Sequence, residues 1–127
     1  MIAIIMIHDA DHVRQARHWC YTINTTLWLV NVIVYVPAMT ALFLALRRSR
    51  RAAFVTSLGG ILVAYSFAEV HLWRPSIPVW GIWNQNFFKL GVDAISWHIL
   101  AVTVLVGVGV AMAGAYVSGR QSASSSH

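Results

Sequence analysis

The chain has 127 residues, of which 58% are apolar and 10% charged, and its formal net charge is +5. A soluble domain is about 45–50% apolar and about 25% charged, so this chain lacks the charge to coat a compact water-facing body. That excludes a soluble enzyme domain, a disordered chain and a second domain, and predicts an all-α integral membrane protein: three transmembrane helices with short interfacial amphipathic segments.

The opening MIAIIMI is apolar but short, has no basic flank and runs into HDADH, which is not a cleavage site. Residues 1–22 read as an N-terminal interfacial segment. A weak stripe of Ala10, Val13, Ala16 and Cys20 predicts a helix on the membrane surface leading into the first span. His8 and His12 stand at i, i+4, with Asp9 where zincins carry a glutamate. Two imidazoles on one helix face suit zinc, but the sequence names no third ligand, and Asp9 is shorter than the usual base. No Gly-rich phosphate loop or nucleophile elbow occurs either. The expectation is a chain with no catalytic residues, no cofactor and no metal. Cys20 is the single cysteine and cannot form a disulfide within the chain.

Three apolar runs follow, at about 23–46, 52–73 and 94–117, within a transmembrane domain of residues 23–119. Each holds roughly 22–24 residues, about 33–36 Å of helix, against a hydrocarbon core of about 30 Å. With no water to satisfy the backbone there, each run should be helical. In the first run Asn24, Trp28, Asn31 and Tyr35 recur at four- and three-residue steps, which puts Asn24, Asn31 and Tyr35 on one polar face. An amide facing lipid leaves its hydrogen bonds unmade, so this face should meet another helix or water. Pro37 removes a donor from the carbonyl of Ile33 and predicts a kink.

Four arginines, Arg47, Arg48, Arg50 and Arg51, separate the first two runs. A dense basic block between apolar segments marks a cytoplasmic loop, not a phosphate-binding face, so no nucleic-acid partner is expected. Three spans then put the N-terminus outside and the C-terminus in the cytoplasm, in the cytoplasmic membrane. The outer side would hold all six tryptophans and all four acids. Trp73, Trp80, Trp83 and Trp97 read as interfacial anchors. Residues 74–93 form an outer amphipathic loop with Trp80, Trp83, Phe87 and Leu90 at helical spacing. Residues 120–127 read as a disordered polar tail.

Membrane helices associate through close packing and polar contacts. The second run carries Thr56, Gly60, Ala64 and Ala68, and the third Thr103, Gly107, Ala111 and Ala115, continuing to Gly119, all at four-residue spacing. Two such small-residue faces predict either an antiparallel contact between these spans or a surface for self-association. Glu69 and His71 near one span end and His98 near another raise a haem or metal site at His71/His98. On a helical wheel, however, His71 lies about 20° from Ala64 and His98 about 180° from Gly107, so facing stripes would keep the two apart.

The sequence thus supports a non-catalytic protein working in the bilayer through contact with itself or with other membrane helices. Its general form is shared by phage-type holins, which permeabilise membranes by self-assembly. It is shared equally by small accessory subunits of larger membrane complexes.

Overall fold

The computed structural model describes residues 1–18, 23, 25–73 and 87–124. Among them there is no strand, and six helices follow in order: α1 (Ile2–His18), α2 (Thr25–Ile33), α3 (Tyr35–Leu46), α4 (Ala52–Leu72), α5 (Phe87–Leu90) and α6 (Ala94–Ser124). Three helical stretches are long and apolar enough to cross a membrane: Trp28–Leu46, Ala52–Leu72 and Ala94–Ser124.

The first stretch is interrupted where the proline requires it. Pro37 cannot donate to Ile33, and the helix divides at Val34, between α2 and α3. The α3–α4 turn closes with a pair of bonds, Ser49 N–H to the Leu44 carbonyl and Arg48 N–H to the Ala45 carbonyl, at 2.9 Å each. This is the Schellman arrangement, and it places Arg48 in the left-handed region at φ 51°. All four loop arginines are exposed.

The tail expected to be without regular structure from residue 120 is helical as far as Ser124, while 125–127 lie outside the described residues. Arg120, Gln121 and Ala123 are good helix formers, and Ser122 and Ser124 return hydroxyl bonds to the carbonyls of Ser118 and Gln121. At 31 residues α6 is about 46 Å long and outreaches a bilayer core.

The closest packing joins α4 to α6. A Cβ on Gly60 would lie 2.5 Å from the Ala111 nitrogen and 2.6 Å from the Gly107 carbonyl oxygen. One on Gly107 would lie 2.9 Å from the Ala64 nitrogen. The two small-residue stripes therefore face each other within one chain, backbone against backbone. Thr56, Ala68 and Ala111 are half-buried, and Thr103 is fully buried with its hydroxyl on the Ile99 carbonyl. Beyond Ala111 the contact leaves the strict four-residue register. Ala115 is exposed, and Gly114 takes its place, where a Cβ would lie 2.5 Å from the Ser57 nitrogen, while Gly119 has open space around it. Four residues advance a helix by about 400°, so a strict stripe drifts off its partner and the contact must step by three.

α1 lies against α6, α3 and α4. Its start is level with Gly59, where a Cβ would meet the Met1 methyl at 3.6 Å and Pro37 Cβ at 3.3 Å. The side it turns inward is mostly polar: His8, Asp11, His12 and Gln15 are buried together with Ile5 and Ala16, while Met6 and Ile7 are exposed. Polar groups thus face the bundle and apolar ones its outside, the reverse of a water-soluble helix pair.

A candidate metal centre between α1 and α4

Two histidines of α1 and one of α4 meet where α1, which packs chiefly on α6, reaches the end of α4. His8, His12 and His71 are all buried, and one ligating nitrogen from each lies within 4.8 Å of the others. His8 and His12 share a face because they are one helical turn apart. The third ligand, which the α1 sequence does not supply, comes from the end of α4.

The geometry inside the cluster is ordered. The His71 Nδ1–H donates to the Phe67 carbonyl at 2.8 Å, since a carbonyl can only accept. That bond fixes the tautomer and turns the His71 Nε2 lone pair into the cluster, the backbone support typical of a metal-binding imidazole. The His8 Nε2 lies 3.2 Å from it. Two nitrogens on one tetrahedral ion at about 2.0–2.1 Å stand roughly 3.3 Å apart, so this pair already has the spacing of shared ligands. The His8 Nδ1 has no hydrogen-bond partner and can carry the proton that Nε2 gives up on binding a metal.

One side of the cluster is apolar. Phe67 sits edge-on to His8 at 4.5 Å between centroids, and Phe87 edge-on to His71 at 4.8 Å. Ile5, Val63 and Leu100 complete the apolar layer. Burial pushes His12 down to about 4 and lowers His8 well below the ordinary range of an imidazole. Both are therefore neutral at pH 7, the form that binds metal.

A polar network fastens the outer part of α1. Arg14 donates to Asp93 with both terminal nitrogens, at 2.7 and 2.9 Å, and with Nε to Asp11 at 2.6 Å. The Gln15 amide donates to Asp11 and to Ser96 Oγ at 2.6 and 2.8 Å. Asp93 also accepts from the Ser96 N–H at 3.0 Å, which caps the start of α6. The Arg14 guanidinium holds the Asp93 carboxyl well below the usual carboxylate range. Asp9, on another side of α1, accepts from the Tyr35 hydroxyl at 2.6 Å and ties the helix to α3.

The remaining predicted residues are more scattered. His98 is exposed and bonds the Ala94 carbonyl of its own helix, so His71 pairs with α1 and not with His98. Asn31 is buried with its Nδ2 unpartnered, Tyr35 is half-buried, and Asn24 lies outside the described residues. Trp97 packs edge-on to Phe87 at 5.4 Å, Trp73 is exposed, and Trp80 and Trp83 lie outside the described residues. Sequence reasoning weighed His8, His12 and His71 but did not join them. The available signal was the polar i, i+3, i+4, i+7 series His8, Asp11, His12, Gln15, which in a membrane protein marks a face turned toward other helices.

Beside the cluster lies a cavity of about 250 Å³, bounded by His12, His71, Phe67, Asn31, Ser66 and Glu69 among others. Comparison of the chain with protein-family models, curated proteins and solved structures finds no match.

Proposed function

We propose that this chain is a small multi-span membrane protein that binds one first-row transition-metal ion, zinc or copper, through His8, His12 and His71. The observation that carries this reading is the convergence of three buried imidazoles within 4.8 Å, one of them held in tautomer by a backbone carbonyl. Imidazole suits zinc, copper, iron and nickel, and the absence of thiolate from this ligand set favours the borderline ions. With the arginine loop placed in the cytoplasm, the centre belongs to the outer half of the bilayer. Holin-like permeabilisation and docking on a larger membrane complex are the alternative readings, resting on small-residue faces and on the Asn24, Asn31 and Tyr35 face. The small-residue faces that motivated them are engaged between α4 and α6.

The test is metal titration of the detergent-purified protein with zinc and copper, alongside elemental analysis. Wild type should bind one equivalent, His71→Ala and His8→Ala should weaken binding at least about 100-fold, and His98→Ala should match wild type. Loss of binding in His98→Ala, or unchanged binding in His71→Ala, overturns the assignment.

A further inference from the structure

We infer that the metal keeps an open coordination position, taken by a small exchangeable anion that lies in the neighbouring cavity. This deepens the metal-binding reading above and rests on it. Three observations point the same way.

The ligand set is incomplete and uncharged. Among the described residues three imidazoles converge and no carboxylate joins them, whereas a tetrahedral ion takes four ligands. Three protein ligands and one free position is the composition of a reactive zinc centre, and four protein ligands that of a structural one.

The charge does not balance locally. A divalent ion among three neutral imidazoles brings two positive charges into a buried site, and uncompensated buried charge is strongly unfavourable. On α1, Asp11 already accepts from Arg14 and Gln15, and Arg14 is shared with Asp93; the acid that lines the neighbouring cavity is Glu69, one carboxylate against two positive charges. An anion arriving from outside supplies the missing compensation.

There is room for it on the correct side. His12 and His71 form part of the wall of the 250 Å³ cavity, which is roughly eight times the share of volume a liquid water occupies. A ligand of several non-hydrogen atoms therefore fits beside the metal. The wall also carries Ser66 and Asn31, which have hydrogen-bond donors, and the Glu69 carboxylate, among apolar groups such as Val30 and Val34. The chemistry selects a compact monoanion with a nitrogen or oxygen donor, such as azide, a short carboxylate or hydroxide.

The experiment uses the full chain loaded with cobalt(II), whose visible spectrum reports coordination, titrated with sodium azide. Wild type should show a saturable one-to-one spectral change. Ser66→Phe and Val30→Phe, which place a ring in the cavity, should keep cobalt affinity within about three-fold and weaken azide at least ten-fold. Retained cobalt affinity also shows that each variant has folded. Cobalt binding with no azide response in wild type overturns the open position while leaving the three-histidine site standing. An equal azide response in both filled variants overturns the cavity as the place of binding. Failure of wild type to bind cobalt at all removes the metal reading and this inference together.

Discussion

The α4–α6 contact and the docking of α1 solve the same packing problem by opposite means. Where α4 and α6 come closest the side chains give way to glycine: Gly60, Gly107 and Gly114 bring backbone atoms to separations that no Cβ would tolerate. Between α1 and the rest, side chains do everything, through imidazoles, a bidentate Arg14–Asp93 pair and the Gln15–Ser96 bond. The first surface specifies shape and the second specifies chemistry. In lipid, where apolar burial gives helices no preference for each other, a contact needs one or the other. The difference teaches that the shape-driven seam and the polar seam of this bundle are distinct, although α4 and α6 take part in both.

The sharpest way to break the comparison is to add side chains to the shape-driven seam. Gly60→Leu and Gly107→Leu should each destabilise the bundle by about 3 kcal/mol or more, because the neighbouring atoms are backbone and cannot give way. Gly109→Leu, which has open space on the same helix, should change stability by less than about 0.5 kcal/mol. Unfolding in mixed micelles titrated with dodecyl sulfate measures all three.

A smaller effect separates the chemical seam. Arg14→Ala leaves the buried Asp11 carboxylate with Gln15 alone, at a cost of about 1–3 kcal/mol, and should release α1 without melting α4 on α6. Protease protection of α1 distinguishes local from global loss. The same seam should respond to acid. Asp93 has its carboxyl lowered by Arg14, so its contribution is complete above the unfolded value of about 3.9 and disappears as pH falls through the lower folded value. α1 protection should decline below about pH 4 in wild type, and Asp93→Asn should lack that decline.

The smallest change lies in the turn. Arg48→Gly relieves a left-handed residue and should stabilise the chain by about 1 kcal/mol. A loss of stability instead would show that the side chain of Arg48 matters more than its backbone.

Much of the shape was legible in the sequence, and little of the chemistry. Run length and hydropathy locate the three long helices, because a bilayer demands about 20 apolar residues whatever their order. Pro37 marks the break because its missing N–H acts locally. The Gly60 and Gly107 stripes show up as spacing, although only packing reveals where Gly114 replaces Ala115. The histidine cluster was not legible for a definite reason. Wheel geometry gives the direction of His71 on α4 but not what lies there, and its partners are 59 and 63 positions earlier, reached by docking that no local rule encodes. The apolar stripe of α1 was only a partial guide to its inner side: Ala16 is buried, Val13 half-buried and Ala10 exposed, whereas the polar series His8, Asp11, His12 and Gln15 is buried throughout.

Gly59 gives the chemical seam its depth. Pro37 from α3 and Met1 from the head of α1 both close on the space that its missing side chain leaves. From Met1 to His8 a helix rises about 10 Å, and from Gly59 to Phe67 about 12 Å, so seating Met1 on Gly59 brings His8 level with Phe67. The small residue at 59 thus lets α3 and the head of α1 share one spot on α4, with the imidazoles a fixed rise further along. A larger side chain at 59 would press first on Pro37, the tighter of the two contacts, and only its outer atoms would reach the Met1 methyl.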